Sequence, residues 1–107
     1  MAKYLLIESR DPQEASAVGE FYDLARDLKA SGSDVTVFLI QNGVFAARKG
    51  FARSGLDRLQ GLPVLADDFS LRQRGIRPEE LVDGVTVAGI DSLVELMIDD
   101  DRKTIWC

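Results

Sequence analysis

The stretch Val35-Thr36-Val37-Phe38-Leu39-Ile40-Gln41-Asn42-Gly43 decides the fold class. Its first six residues are β-branched or apolar, without the alternation of a half-exposed strand, so they read as a strand buried on both faces. Such a strand belongs inside a parallel sheet, whose two sides are covered by crossover helices. Asn42-Gly43 closes it with turn residues. Upstream, Lys3-Tyr4-Leu5-Leu6-Ile7-Glu8 is a second short apolar run. Between the two, Ala15, Val18, Phe21, Tyr22, Ala25 and Leu28 recur at helical spacing, and Gly32 follows as a stop. Asp11-Pro12-Gln13-Glu14 predicts the start of that helix: Asp11 as cap, Pro12 at the first helical position, and Glu14 near the positive end of the dipole.

Downstream the alternation continues. A helix is expected from Val44 to Leu59, with a break marked by Gly50 and Gly55. Pro63 to Ala66 reads as a third strand, Ser70 to Arg74 as one helical turn ended by Gly75, and Pro78 to Val82 as another short helix. Val85 to Ala88 is a fourth strand. Asp91 is expected to cap a helix through Leu93, Val94, Leu96 and Met97, which ends in Asp99-Asp100-Asp101. Lys103 to Trp106 is the last strand. Strands separated by helices imply right-handed crossovers. The expectation is one α/β domain over residues 1–107: a three-layer α/β/α sandwich around a mainly parallel five-stranded sheet. In such sheets ligands bind outside the carboxyl ends of the strands.

Composition narrows the chemistry. The net charge of −5 works against binding a phosphate backbone, so nucleic acid is not an expected partner. No run approaches the roughly 20 apolar residues that cross a bilayer, so no membrane association is expected. Met1-Ala2-Lys3 leads straight into strand-like sequence, without the pattern of a signal peptide. The single cysteine, Cys107, permits no internal disulfide and fits a reducing, cytoplasmic location. Histidine is absent. That removes the usual Cys/His zinc sites, Ser-His-Asp triads and imidazole bases, and no metal or cofactor is expected.

At the strand ends, neither phosphate-binding glycine motif is present, and Ser9-Arg10-Asp11-Pro12 stands after the first strand. Asn42-Gly43 before a helix offers amides to an anion, and is equally explained as a turn and cap. An acidic site for metal or phosphate is a further alternative, as in receiver domains. Glu8 and Asp67 or Asp68 fit it in part, but Lys103 precedes the last strand and no final helix follows. The same Asp67-Asp68 pair is also explained as a cap and a solvated loop.

Three segments resemble the DsrE/DsrF-like family: Tyr4-Leu5-Leu6-Ile7-Glu8-Ser9-Arg10, Val35 through Val44 with its Gln41-Asn42-Gly43 turn, and Leu71-Arg72-Gln73-Arg74-Gly75-Ile76. The resemblance covers nearly the whole chain. It implies a compact α/β/α (DsrEFH-like) domain, usually a homo-oligomer, whose active members relay sulfur as a cysteine persulfide between carrier proteins. It places their relay cysteine at or beside Asp67, where this chain has Ala66-Asp67-Asp68 and no thiol. The family implication is therefore a non-catalytic or accessory protein of sulfur metabolism. It would bind a sulfur-carrier partner or a small ligand over Asn42, Gly43, Asp67, Asp68 and Ser70. The catalytic alternative is a persulfide carrier using Cys107, which emerges at the carboxyl end of the last strand. Trp106 is expected in the core or at a subunit contact. Phe21, Phe45, Phe51, Phe69 and Trp106 are expected to supply an apolar patch that assembly covers.

Overall fold

Lys3–Glu8 (β1) and Asp34–Leu39 (β2) lie side by side in parallel, with Leu5 opposite Thr36 and Ile7 opposite Phe38. Val64–Asp67 (β3) adds to the free edge of β2, and Val85–Ala88 (β4) adds to β3. Arg102–Trp106 (β5) returns to the other side of β1. The result is a five-stranded parallel sheet in the order β4-β3-β2-β1-β5. This computed structural model describes residues 2–50 and 55–107.

The central place of β2 explains its composition. Val35, Val37 and Leu39 pack on one side of the sheet with Val18, Phe21, Tyr22 and Ala25 of the helix Ala17–Ala30 (α1). Phe38 and Ile40 pack on the other side with Leu5, Ile7 and Leu93. Full burial of each Val, Leu, Ile or Phe contributes about 1.5–3 kcal/mol, so a strand filling both cores is the strongest local determinant of the architecture.

The two outer layers are unequal. The first core is closed by α1, by the 3-10 segments Gln41–Ala47 and Leu56–Leu59, and by Leu71 of the helix Asp68–Gln73 (α2). On the second side the packed helix is Ile90–Met97 (α3), which contributes Leu93 and Leu96. It joins β4 to β5, and those strands are opposite edges of the sheet. Eight residues of helix reach about 12 Å. Five strands at about 4.8 Å spacing make a face roughly 19 Å wide. One short helix therefore bridges the sheet without covering it.

Local structure departs from the sequence expectations at several points. In place of the helix expected from Val44 to Leu59, with its break at Gly50 and Gly55, stand the two 3-10 pieces just named, the first already beginning at Gln41; residues 51–54 lie outside the described ones. Backbone bonds drawn out of the helix explain the change. Lys49 N donates to Glu80 O, Val82 N donates to Ala47 O, and Arg48 bridges Leu81. Gly50 and Gly55 then adopt left-handed φ values of 83° and 77°. Asp11 does not start α1. Its Oδ1 accepts from Gln13 N and its carbonyl accepts from Glu14 N and Ala15 N, which closes a separate turn before Ser16 takes the cap position. The Pro78–Val82 helix shrinks to the 3-10 turn Pro78–Glu80, and Gly89, not Asp91, occupies the cap position of α3. Trp106 is not in the core: it is 54% exposed.

Candidate functional site

At the carboxyl end of β3 the chain enters α2 through Asp67, whose extended backbone turns its carboxylate back over the first helical turn. Asp67 Oδ2 accepts from Ser70 N at 2.9 Å and from Ser70 Oγ at 2.7 Å. Ser70 Oγ in turn accepts from Gln41 N at 2.8 Å, which ties the end of β3 to the turn after β2. That turn is strained at Gln41, a non-glycine residue at φ 50°. Arg74, one turn further along, donates from Nε and Nη2 to Asn42 Oδ1 at 3.1 and 2.9 Å, and from Nη1 to Ser70 O at 3.2 Å. Asn42, Asp67 and Ser70, three of the residues singled out in the sequence, are thus joined in one polar brace. Gly43 belongs to the same place for a steric reason. A Cβ there would stand 2.2 Å from Glu8 O, so only glycine lets this segment press on the end of β1.

The other candidates stand apart from that brace. Asp68 points outward and pairs with Arg72 at 3.3 Å. It borders an open cleft of about 530 Å³ shared with Asp67, Phe69, Gly89, Ile90 and Asp91. Cys107 continues β5 alongside β1. Its N–H donates to Ile7 O at 2.8 Å, and its carbonyl accepts from Ser9 N and Ser9 Oγ, both at 2.7 Å. The strand order places β5 three strands from β3, so Cys107 and Asp67 are separated by about 14 Å along the rim.

Beside Cys107 stands an ion pair that the sequence reading did not see, since it placed Glu8 only in an acidic site with Asp67 or Asp68. The Glu8 side chain is fully buried and is satisfied by one residue. Oε2 accepts from Arg10 N and Nε, each at 3.0 Å, and Oε1 accepts from Nη2 at 2.9 Å. The hydrogen bond to Glu8 holds the Arg10 guanidinium above its ordinary pKa against partial desolvation, and the ionisable groups of Glu8 and Cys107 reinforce it. Tyr22 of α1 is buried close by, and its hydroxyl finds no partner among the described residues. Burial, then the negative charge of Glu8, raises its pKa. The available signal was a charged residue ending an apolar run, Ile7-Glu8, with Arg10 two residues on.

The edge therefore offers a rigid polar brace at β2 and β3, an open acidic cleft beside it, and a thiol next to a buried ion pair at β1 and β5. Among the described residues no group of three or more His, Cys, Asp or Glu side chains is placed to hold a metal ion. No helix among them is long and apolar enough to cross a membrane.

Against known proteins, the family model described as the DsrE/DsrF-like family matches residues 2–104. The chain belongs to the DsrE/DsrF-like family. Two solved structures show the same DsrE-like fold. The YchN protein from E. coli superposes with a TM-score of 0.85 at 24% identity, covering 98% of this chain and 100% of that one. MTH1491 from Methanobacterium thermoautotrophicum, titled a protein of unknown function, superposes with a TM-score of 0.82 at 23% identity, covering 100% of both chains. No curated protein matches. Membership of the DsrE/DsrF-like family suggests a role related to sulfur metabolism, and the parallel sheet with helices on both sides agrees with that family's fold.

Proposed function

We propose that this DsrE-like chain is an accessory protein of cytoplasmic sulfur metabolism that does not itself carry sulfur. It acts by assembling with copies of itself and by holding a sulfur-carrier protein or a small ligand at the strand-end rim. The observation that carries this reading is Asp67. The reading takes the relay cysteine of the family's active members to fall at or beside this position. The side chain here is an acceptor-only carboxylate, already committed to Ser70 N and Oγ at the start of α2. A carboxylate cannot form a persulfide, and this one is held as a structural cap. Asn42 and, apart from it, Asp68 present polar groups at the rim, while buried Gly43 and Ser70 fix the turn behind Asn42, and preorganisation favours recognition.

One observation favours a second reading. Cys107 lies at the same carboxyl edge, partly buried, with the Arg10 guanidinium near enough to interact with it electrostatically. The one thiol of the chain thus stands on the rim beside the Glu8–Arg10 pair. A persulfide carrier using Cys107 follows from that setting.

Intact-mass measurement after incubation with a persulfide donor separates the two. The accessory reading expects wild type and Cys107→Ser to emerge unmodified. A stable adduct of about 32 Da, one sulfur atom, on wild type and absent from Cys107→Ser would overturn it in favour of the carrier.

A further inference from the structure

The helix α3 is apolar on two sides. Leu93 faces the sheet and is buried, yet Ile90, Val94, Met97 and Ile98, spaced at i, i+4, i+7 and i+8, form a stripe in solvent. Ile98 is 70% exposed and Ile90 63%. Register places Trp106 on the same side of the sheet, because it pairs with Ile7, whose side chain is in the core under α3. Phe69 extends the apolar surface at the other end, where it shares the cleft wall with Ile90. These six side chains, on one side of the sheet and its rim, together expose on the order of 600 Å², against about 300–600 Å² for the largest apolar patch of a typical monomeric protein. The cause is architectural: a single short helix spans a face it cannot cover.

The charges along the α3 flank are acidic, and among the described residues the one cation at the patch, Arg72 over the Phe69 ring, is paired with Asp68. Asp91 and Glu95 follow the stripe on the outer side of α3, and Asp100 and Asp101 extend past its carboxyl end; all four are exposed. The carboxylates with cationic partners at the ends are Asp68 with Arg72, and Asp99 with Lys3 and Arg102. A second copy packed face to face about a two-fold axis would bring the same unpaired carboxylates against themselves. A surface of opposite sign would find both its apolar and its charged groups answered.

We propose that the outer flank of α3, together with Trp106 and Phe69, docks a basic amphipathic segment of another protein: an apolar helix face bordered by Lys or Arg. The inference takes from the proposed function only that the chain works by holding partners. The sulfur reading is decided by the mass adduct, so either can fail without the other.

Trp106 is the single tryptophan of the chain, so its emission reports on this face alone. The full chain is titrated with a Leu/Lys amphipathic helical peptide and with a Leu/Glu peptide of identical apolar face. The expected result is a saturable blue shift with the Lys peptide and none with the Glu peptide. Val94→Glu/Ile98→Glu, both exposed positions, should weaken binding at least tenfold although the variant is more acidic, with its fold checked by circular dichroism. Asp91→Lys/Glu95→Lys should weaken it similarly. No shift with the Lys peptide overturns the proposal. So does undiminished binding by Val94→Glu/Ile98→Glu, which would reduce the effect to bulk charge. Emission of the free protein that is already buried and moves to the red on dilution would show that a second copy covers the face, and would overturn it as well.

Discussion

Tyr22, Arg10 and Gly43 meet at the end of β1, and each makes a different demand on stability. A buried hydroxyl without a hydrogen-bond partner costs about 1–3 kcal/mol, so Tyr22→Phe should stabilise the protein, by about 1 kcal/mol, in urea denaturation. The same residue sets an alkaline limit. Its folded pKa is raised while the unfolded value stays near ~10. Stability is therefore fully present below about pH 10 and is lost as the unfolded chain gives up the phenolic proton that the folded chain retains. Tyr22→Phe should remove that part of the alkaline loss, and a variant that melts along the wild-type pH curve would refute the assignment. Arg10 makes the opposite demand. Arg10→Ala leaves the Glu8 carboxylate buried and unpaired, so a loss on the order of 3–5 kcal/mol is expected by chemical denaturation. At Gly43 even one methyl group is too much. Gly43→Ala drives a Cβ into Glu8 O, and the expected cost of about 1–3 kcal/mol reads as a lowered melting temperature.

Among the elements, α2 depends most on one side chain. Asp67→Ala removes the acceptor of both Ser70 N and Ser70 Oγ and should cost about 1–2 kcal/mol, a fall of several degrees in melting temperature. Asp67→Asn, an equally good cap, should recover most of it. Equal losses in the two variants would show that the carboxylate's charge, not its acceptor, matters here. Elements of this kind were legible in sequence to differing degrees. The uninterrupted run Val35 to Ile40 announced a doubly covered strand, and the spacing from Val18 to Ala25 announced the buried face of α1, because both follow local periodicity. The 3-10 segments did not show, since the backbone bonds that displace the helix after Val44 come from Glu80 to Val82, more than thirty positions away. The brace between Asn42 and Arg74 and the burial of Tyr22 near Glu8 are equally non-local. Residue types at the strand ends marked where a site would stand, and which of them would touch was decided by the sheet order.

For the molecule as a whole, the expectation of self-assembly is measured by light scattering at micromolar concentration. A dimer or larger species is expected, and a mass of one chain across the concentration series would remove the oligomeric part of the proposed function. Of the aromatics named for that expectation, Phe21 is buried, Phe51 lies outside the described residues, and exposed Phe69 and Trp106 belong to the face proposed above for a basic partner, so self-assembly is expected through another surface. The sheet order has one more effect, felt during synthesis. β1 is made first and sits between β2 and β5, and Ser9 bonds to a residue 98 positions later in the chain. At roughly 5–20 residues per second, a ribosome needs about 5–20 s to deliver the strand that closes this edge. For that interval the nascent chain carries a bare, apolar strand edge of the sort that pairs with other chains. The hazard belongs to synthesis alone, and the finished fold no longer displays it.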